Sequence, residues 1–247
     1  MRKISIVMRS VLFNLTFYPW TIIVLGCGLP LTLGTRAAAY KVPLFWSVTT
    51  RWLLRRICGI RIRVEDIENL PKKNGYIFAS KHQSALETAL FHSVIPNVFY
   101  VLKRELLWLP FAAAYFYKTK CIPIDRSAGT ASMRKMLDGV QKNLRAGLNF
   151  GIFPEGTRTP PGQKKPYAPG VAFVYDKCRV PVVPIALNSG YCWPKNSLIK
   201  YPGTVSVRIL KPIPAGLDKR VFMDTLYNTI ETAQDSLPHP FGKRHES

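Results

Sequence analysis

A histidine and a carboxylate five positions apart are the residues of this chain best suited to acid–base chemistry. His82 and Glu87 belong to the block Lys81-His-Gln-Ser-Ala-Leu-Glu87, which follows an apolar run and opens a helical pattern. Five residues turn an ideal helix by about 140°, so the two side chains meet only if His82 lies in the turn before the helix. There the carboxylate would hold one imidazole N–H and leave the other nitrogen basic. Such a pair is a general base for a hydroxyl or a water molecule.

The same block allows other interpretations. His82 can be a surface histidine near a helix start, with Glu87 a solvated helix charge. Ser84 could be a nucleophile, but the G-x-S-x-G pattern of a nucleophile elbow does not surround it. His92 stands in the middle of a helical pattern, and we expect it to be a packing residue.

Further blocks place cations at the ends of apolar runs. In Phe153-Pro-Glu-Gly-Thr-Arg158, Gly156 lets the backbone approach a ligand, and Arg158 offers a planar fork that matches a phosphate. Two other apolar runs end in the same way. The run 121–124 is followed by Asp125 and Arg126, and the run 98–102 is followed by Lys103. Ligands collect at strand ends in open α/β sheets, so these blocks predict an anion site. Taken singly, each is equally compatible with a turn or a surface ion pair.

Beyond residue 60, apolar runs alternate with helical patterns, which predicts one α/β domain with a sheet flanked by helices. Pro181 and Pro184 favour an edge position or a strand end for the run 180–187. The predicted strands are 60–64, 75–80, 98–102, 149–153, 180–187 and 205–210, and the predicted helices are 84–93, 130–146, 171–178 and 222–236.

The N-terminal segment has the composition of a membrane anchor. Residues 10–35 carry no charge and are rich in large apolar side chains, and about 20 such residues suffice to span a bilayer. A cleaved signal peptide has a shorter apolar region and is not expected here. Because Pro19 and Pro30 break or kink helices, a kinked span and a hairpin half-buried in the bilayer are both open.

Residues 40–60 mix aromatic side chains with basic ones, as in an interfacial helix on anionic lipid. The first acidic residue is Glu65, and this excess of positive charge favours the cytoplasmic side for the remaining chain. We therefore divide the chain into a membrane-anchoring helical segment (1–59), an α/β domain (60–237) and a polar tail (238–247).

Composition limits the classes of protein. A chain of 247 residues can bury one sizeable core, which excludes a small disulfide scaffold and a disordered protein. The 35 basic and 14 acidic residues give a net charge of +21, which attracts nucleic acid, anionic lipid or phosphorylated substrates. The five scattered cysteines lack C-x-x-C spacing, so neither a zinc site nor a disulfide framework is expected, and a reducing compartment fits.

Taken in order, four blocks resemble the glycerolipid acyltransferases that act on lysophosphatidic acid, the 1-acyl-sn-glycerol-3-phosphate acyltransferases. That family carries His-x4-Asp, a strand ending in Asp-Arg, Phe-Pro-Glu-Gly-Thr-Arg, and an apolar strand with prolines. The matching segments run from about residue 40 to 235, and their cores are His82 to Glu87, Ile124 to Arg126, Phe153 to Arg158 and Val180 to Ala186. Glu87 departs from the commonest Asp, although many bacterial members carry His-Gln-Ser-x-x-Glu.

The resemblance implies transfer of a fatty acyl group to the sn-2 hydroxyl of 1-acyl-sn-glycerol-3-phosphate, giving phosphatidic acid for phospholipid biosynthesis. The donor would be acyl-CoA or an acyl carrier protein, and no metal or other cofactor is implied. His82, oriented by Glu87, would be the base. The residues implied to bind or shape the substrate site are Lys103, Arg126, Glu155, Gly156, Thr157, Arg158 and Pro184. The implied location is a bacterial cytoplasmic membrane, with the catalytic domain facing the cytoplasm.

Other functions are open at this point. An enzyme of the same fold could acylate glycerol-3-phosphate or a lyso-ornithine lipid, since fold does not fix substrate. A hydrolase could use His82 to activate water. A basic membrane-tethered binding protein is a further alternative, but the chain lacks the stacking pattern or helix-turn-helix signature of nucleic-acid binding, so nucleic acid is not an expected partner. Donor, acyl-chain length, acceptor and oligomeric state are left open.

Overall fold

The computed structural model describes residues 2–125 and 129–242. Its strands are β1 (Ile60–Glu65), β2 (Ile77–Ser80), β3 (Val98–Lys103), β4 (Ile122–Ile124), β5 (Asn149–Ile152), β6 (Val182–Leu187) and β7 (Gly203–Ile209). Its helices are α1 (Arg2–Cys27), α2 (Arg36–Leu53), α3 (Leu86–Val94), α4 (Ala112–Lys118), α5 (Gly129–Arg145), α6 (Pro169–Cys178), α7 (Ser189–Cys192) and α8 (Lys219–Asp235).

The strands form one sheet in the order β1-β7-β6-β2-β5-β3-β4. From β6 to β4 all neighbours are parallel, whereas β7 runs antiparallel to β6 and β1 runs parallel to β7. The last residues of β6, β2, β5, β3 and β4 therefore lie at one edge, which we call the carboxyl edge. The predicted α/β sheet flanked by helices is confirmed, with each predicted strand present and its bounds shifted by a few residues.

Helices cover both faces of the central strands, so every residue of β2 and β6 is buried. On one face, Phe78 of β2 packs against Phe91 of α3, with ring centroids 5.0 Å apart. Among the helices, Tyr175 of α6 stacks on Phe222 of α8 at 3.7 Å. The aliphatic, nearly uninterrupted sequence of β6 fits this two-sided burial.

Of the two positions that the prolines favoured for the run 180–187, the edge is wrong, because β6 lies inside the sheet between β7 and β2. The strand end is confirmed for Pro181, which directly precedes the first residue of β6. Pro184 is tolerated there because of its register. It stands beside Ala79 of β2, and its carbonyl accepts a hydrogen bond from the N–H of Leu210 at 2.9 Å. Strand β7 ends at Ile209, so the N–H that proline lacks would have faced the chain just beyond that strand.

The N-terminal segment folds back on itself as a helical hairpin of α1 and α2. Helix α1 ends at Cys27, and a 3-10 turn at Leu29–Thr32 reverses the chain. Gly28 is required at this bend, because a Cβ there would come within 2.6 Å of the Val42 side chain. The indole N–H groups of Trp20 and Trp46 donate to threonine hydroxyls of the opposite helix at 3.0 and 2.9 Å. These contacts fix the two helices as antiparallel neighbours.

The hairpin has one face on the α/β domain and one face exposed. Phe13 of α1 is fully buried and packs edge-on against Trp193. Ser10 accepts a hydrogen bond from the N–H of Lys200 at 2.9 Å. The exposed apolar face comprises Ile4, Met8, Val11, Leu15, Tyr18 and Ile22 of α1 and Phe45, Val48 and Trp52 of α2. Within the described residues, Lys3–Cys27 is the one helix long and apolar enough to cross a membrane.

Candidate active site

His82 and Glu87 meet at the carboxyl edge. Strand β2 ends at Ser80, the chain turns, and α3 begins at Leu86. His82 lies in this turn, and its Nδ1 is 2.6 Å from Oε2 of Glu87 on the first turn of the helix. The predicted geometry for the pair is therefore confirmed.

Glu87 is surrounded by hydrogen-bond donors and is fully buried. Its Oε1 accepts the N–H of Ser84 at 2.8 Å and of Gln83 at 3.2 Å, and it accepts the hydroxyl of Ser189. An ionised carboxylate can only accept hydrogen bonds. The partner nitrogen of His82 must then carry a proton, which leaves Nε2 as the basic nitrogen.

The imidazole of His82 is held from several sides. Its ring stacks on Phe153 with centroids 4.0 Å apart, and its backbone N–H donates to Oε2 of Glu155 at 2.9 Å. The carbonyl of His82 accepts the N–H of Thr159 at 2.7 Å. The side chain is 15% exposed, and Nε2 makes no hydrogen bond to the described part of the chain. A substrate can therefore reach a ring whose position is already fixed.

The buried Lys81 connects the turn of His82 to two carboxylates. Nζ of Lys81 lies 2.8 Å from Oε1 of Glu155 and 2.8 Å from Oε1 of Glu231 on α8. The hydroxyl of Tyr167 donates to the same oxygen of Glu231 at 2.9 Å. Burial, and then the Glu231 charge, raise the pKa of Tyr167, so its hydroxyl stays protonated and donates. The network joins the turn of His82, the loop after β5 and the last helix.

Ser84 is not placed as a nucleophile. It is fully buried, and its hydroxyl accepts the N–H of Leu86, the first residue of α3. His92 is half-buried and packs beside Tyr40 and Tyr100, as expected, and burial lowers its pKa to about 4. Both residues therefore have structural roles that explain their positions.

Two of the three cations predicted to bind an anion, Lys103 and Arg158, end or follow neighbouring strands at the same edge. Arg158 ends the turn after β5, and its guanidinium makes no hydrogen bond or ion pair with residues 2–125 and 129–242. Gly156 and Thr157 form the exposed turn before it, with Gly156 at φ +67°. Lys103 is exposed at the end of β3, and Asp125 follows β4. Arg126 lies outside the described residues.

Two residues predicted in the substrate site have other contacts. The carboxylate of Glu155 is buried against Lys81 and the backbone of His82, so it faces the protein. Pro184 is buried inside β6, three residues before that strand ends, and the structure does not bring it to the carboxyl edge. Glu155 thus contacts the turn that carries His82, whereas Pro184 contacts its neighbours in the sheet.

Sequence reasoning missed several residues that support the pair. Ser189 donates to Glu87, and Oε1 of Gln83 accepts the N–H of Gly190 at 3.1 Å. A usable signal existed for this region, because Ser189 lies three residues after the fourth block and that strand ends at the same edge as β2. Glu231 carried no such signal, since only the packing of α8 brings it near Lys81. Within the described residues, no group of three or more His, Cys, Asp or Glu side chains could hold a metal ion.

This arrangement, a helix-flanked sheet with a histidine–carboxylate pair and cations at its carboxyl edge, belongs to a known class. The sequence model of the Acyltransferase family matches residues 61–188, and the chain belongs to that family. A crystal structure of the 1-acyl-sn-glycerophosphate (LPA) acyltransferase from Thermotoga maritima has the same fold, with a TM-score of 0.80 over 96% of this chain and 99% of that one, at 20% identity.

Among the sequence relatives, the chain is similar to the 1-acyl-sn-glycerol-3-phosphate acyltransferase of Pseudomonas aeruginosa. The two are 40% identical over 164 residues, which are 66% of this chain and 63% of that protein. The human 1-acyl-sn-glycerol-3-phosphate acyltransferase alpha is 30% identical over 165 residues, 65% of this chain and 58% of that protein. The chain thus spans about three fifths of the length of these relatives.

Proposed function

We propose that this protein transfers a fatty acyl group from an acyl thioester to the sn-2 hydroxyl of 1-acyl-sn-glycerol-3-phosphate, forming phosphatidic acid. The observation that carries the proposal is the pair of His82 and Glu87, whose 2.6 Å contact leaves Nε2 of a partly exposed imidazole free to accept a proton. The relatives named for this reaction support the choice of substrate.

In the proposed reaction, Nε2 of His82 removes the proton of the sn-2 hydroxyl while that oxygen attacks the thioester carbonyl. Glu87 keeps the imidazole in the right tautomer and stabilises the imidazolium that forms. The new ester bond forms as the C–S bond breaks, and the proton held by His82 passes to the thiolate. The buried Ser84 supports direct transfer without a serine acyl-enzyme.

The phosphate of the acceptor binds Arg158, whose planar guanidinium can donate two parallel hydrogen bonds. Within the described residues, the guanidinium of Arg158 has no hydrogen-bond or ion-pair partner, and this supports its role in binding the phosphate. Lys103 and Arg126, which end or follow neighbouring strands, supply further positive charge. The exposed turn at Gly156 and Thr157 lets the acceptor approach the backbone.

The proposal extends to location: the hairpin lies in one leaflet of a membrane, with the α/β domain on the cytoplasmic side. Its apolar face is exposed, while Asn14 and Ser10 on the other face of α1 bond to the backbone around Lys200. Because these bonds hold α1 along the α/β domain, we expect α1 to lie in the leaflet beside the domain and not to cross the bilayer away from it.

The test is acyl transfer by membranes carrying the full chain. Labelled acyl-CoA and acyl carrier protein are each offered with lysophosphatidate, glycerol-3-phosphate, a lyso-ornithine lipid or no acceptor. We expect phosphatidate from lysophosphatidate, and its loss in His82→Ala at equal protein level. Retained activity in His82→Ala would remove the proposed base. Acylation of another acceptor instead would reassign the substrate, and release of free fatty acid without acceptor would indicate a hydrolase.

A further inference from the structure

A groove of about 840 Å³ lies between the second half of α2 and strand β1. It is formed where α2 passes into a π-helical turn at Leu54–Cys58, beside the edge strand of the sheet. Helical spacing brings four α2-side residues to it, at positions 48, 51, 52 and 55. We call it the arginine groove, and its principal lining residues are Val48, Arg51, Trp52, Arg55, Arg61 and Arg63.

The charge in the arginine groove is poorly compensated. Arg51 donates to the hydroxyl of Ser93 at 3.1 Å, and Arg63 meets Glu65 at 3.5 Å in a largely exposed contact. Neither Arg55 nor Arg61 has a carboxylate partner within residues 2–125 and 129–242. Four cations that line one concave surface repel each other, so the groove favours an anion.

An apolar surface leads directly into this cationic groove. Trp52 is 57% exposed and Val48 is also exposed, and both continue the stripe that begins at Phe45. The same stripe is part of the exposed apolar face of the hairpin. A free phosphate or a nucleotide would use only the cations. A phospholipid would use both surfaces, with its phosphate on the arginines and its acyl chains along Trp52 and Val48.

We propose that the arginine groove binds the headgroup of one anionic membrane phospholipid. The site is separate from the one proposed for the acyl acceptor, since β1 lies three strands away from β2 in the sheet. With about 4.8 Å between strands, this is roughly 14 Å across the sheet. The bound lipid is therefore a fixed contact with the bilayer, and it sets how the hairpin sits in the membrane.

The experiment measures quenching of tryptophan fluorescence by bromine-labelled lipid. The full chain is placed in phosphatidylcholine vesicles that contain a few mole per cent of acyl-brominated phosphatidylglycerol or, in parallel, brominated phosphatidylcholine. We expect phosphatidylglycerol to quench several-fold more at equal mole fraction, and the excess to saturate near one lipid per protein. Trp52→Phe should remove most of that excess, because the acyl chains lie against this indole. An undiminished excess in Trp52→Phe would place the lipid elsewhere.

Matched variants separate a built site from general attraction to a charged surface. Arg55→Gln/Arg61→Gln should abolish the excess, whereas Arg9→Gln/Arg56→Gln removes the same charge from the same segment outside the groove and should keep it. Equal loss in both pairs, or no loss in the first, would overturn the proposal. Displacement of the lipid by saturating acyl-CoA would also overturn it and assign the groove to the donor. The readout needs no turnover, so it is independent of the proposed reaction.

Discussion

At the scale of single residues, the hydrogen bonds around Glu87 determine which nitrogen of His82 is basic. Glu87 receives donors at both oxygens, two of them backbone N–H groups that cannot change role. This rigidity separates it from a solvated carboxylate, which could rotate away from the imidazole. The pair therefore has one arrangement in the absence of substrate, and the base is ready before the acceptor binds.

Glu87→Gln tests this directly. The backbone donors of Gln83 and Ser84 would hold the amide oxygen in the Oε1 position, so the NH₂ group would face Nδ1 of His82. Nδ1 must then accept, and the proton moves to Nε2, which ceases to be a base. We expect kcat to fall by about 10³–10⁴-fold with little change in the acceptor KM.

Glu87→Asp serves as the matched control, since it keeps the charge and shortens the reach to His82. We expect an intermediate loss of kcat. If Glu87→Gln and wild type had similar kcat, the tautomer argument would be wrong.

Arg158→Ala tests the phosphate contact. Removing a bidentate charged hydrogen-bond donor should raise the acceptor KM by about 10–100-fold, with a smaller effect on the donor KM. Arg145→Ala carries the same change of charge on the exposed end of α5 and should leave both constants near wild type. Steady-state kinetics on mixed micelles would distinguish them. An unchanged acceptor KM in Arg158→Ala would exclude Arg158 from the site.

At the scale of secondary-structure elements, the sequence was sufficient for the alternation of strands and helices and for the turn that brings His82 to Glu87. Those features depend on local spacing. Of the two positions favoured by the prolines of the run 180–187, the edge was wrong and the strand end was right for Pro181. Pro184 lies in a central strand because a proline is unfavourable there only when its missing N–H faces a partner, and register decides that. Ser189 and Glu231 could not be assigned, because their contacts arise from strand order and from the packing of α8.

The contact between α3 and α2 makes stability depend on pH through His92. Burial lowers its pKa to about 4, against about 6.5 in the unfolded chain. The unfolded state thus binds the proton more readily, so this contribution is complete above pH 6.5 and is lost as the pH falls toward 4. When the loss is complete, this difference between the folded and unfolded pKa values of His92 corresponds to roughly 3 kcal/mol in the free energy of unfolding.

His92→Phe keeps a ring between Tyr40 and Tyr100 and removes the titrating group. We expect its free energy of unfolding to fall less than that of wild type between pH 7 and pH 4.5, as measured by urea unfolding in a neutral detergent. If the free energies of unfolding of wild type and His92→Phe changed equally with pH, His92 would not titrate in this way.

At the scale of the whole molecule, one face of the hairpin belongs to the hydrophobic core and the other is the face proposed to lie in the membrane. Phe13→Ala should lower the free energy of unfolding by about 3–5 kcal/mol, because its buried ring packs against Trp193. Leu15 lies on the exposed apolar face of the same helix, 69% exposed. Leu15→Ala should leave stability near wild type and weaken binding to neutral vesicles.

Chemical unfolding and vesicle flotation, applied to both variants, separate the two roles. The idea would be wrong if Leu15→Ala lost stability and Phe13→Ala lost vesicle binding. It would also be wrong if both variants changed both measurements equally, since α1 would then not have one core face and one membrane face.

The contact between Lys81 and Glu231 also bears on how the protein is made. The hairpin precedes the α/β domain in the sequence, so it leaves the ribosome before that domain and can enter the membrane while synthesis continues. Strand β1 must wait for β7, and the turn that carries His82 must wait for α8, because Lys81 and Glu231 are 150 residues apart in the sequence. A nascent chain can therefore be anchored among its lipids long before its histidine turn is fully supported. The order of translation thus separates the insertion of the hairpin from the completion of the site around His82.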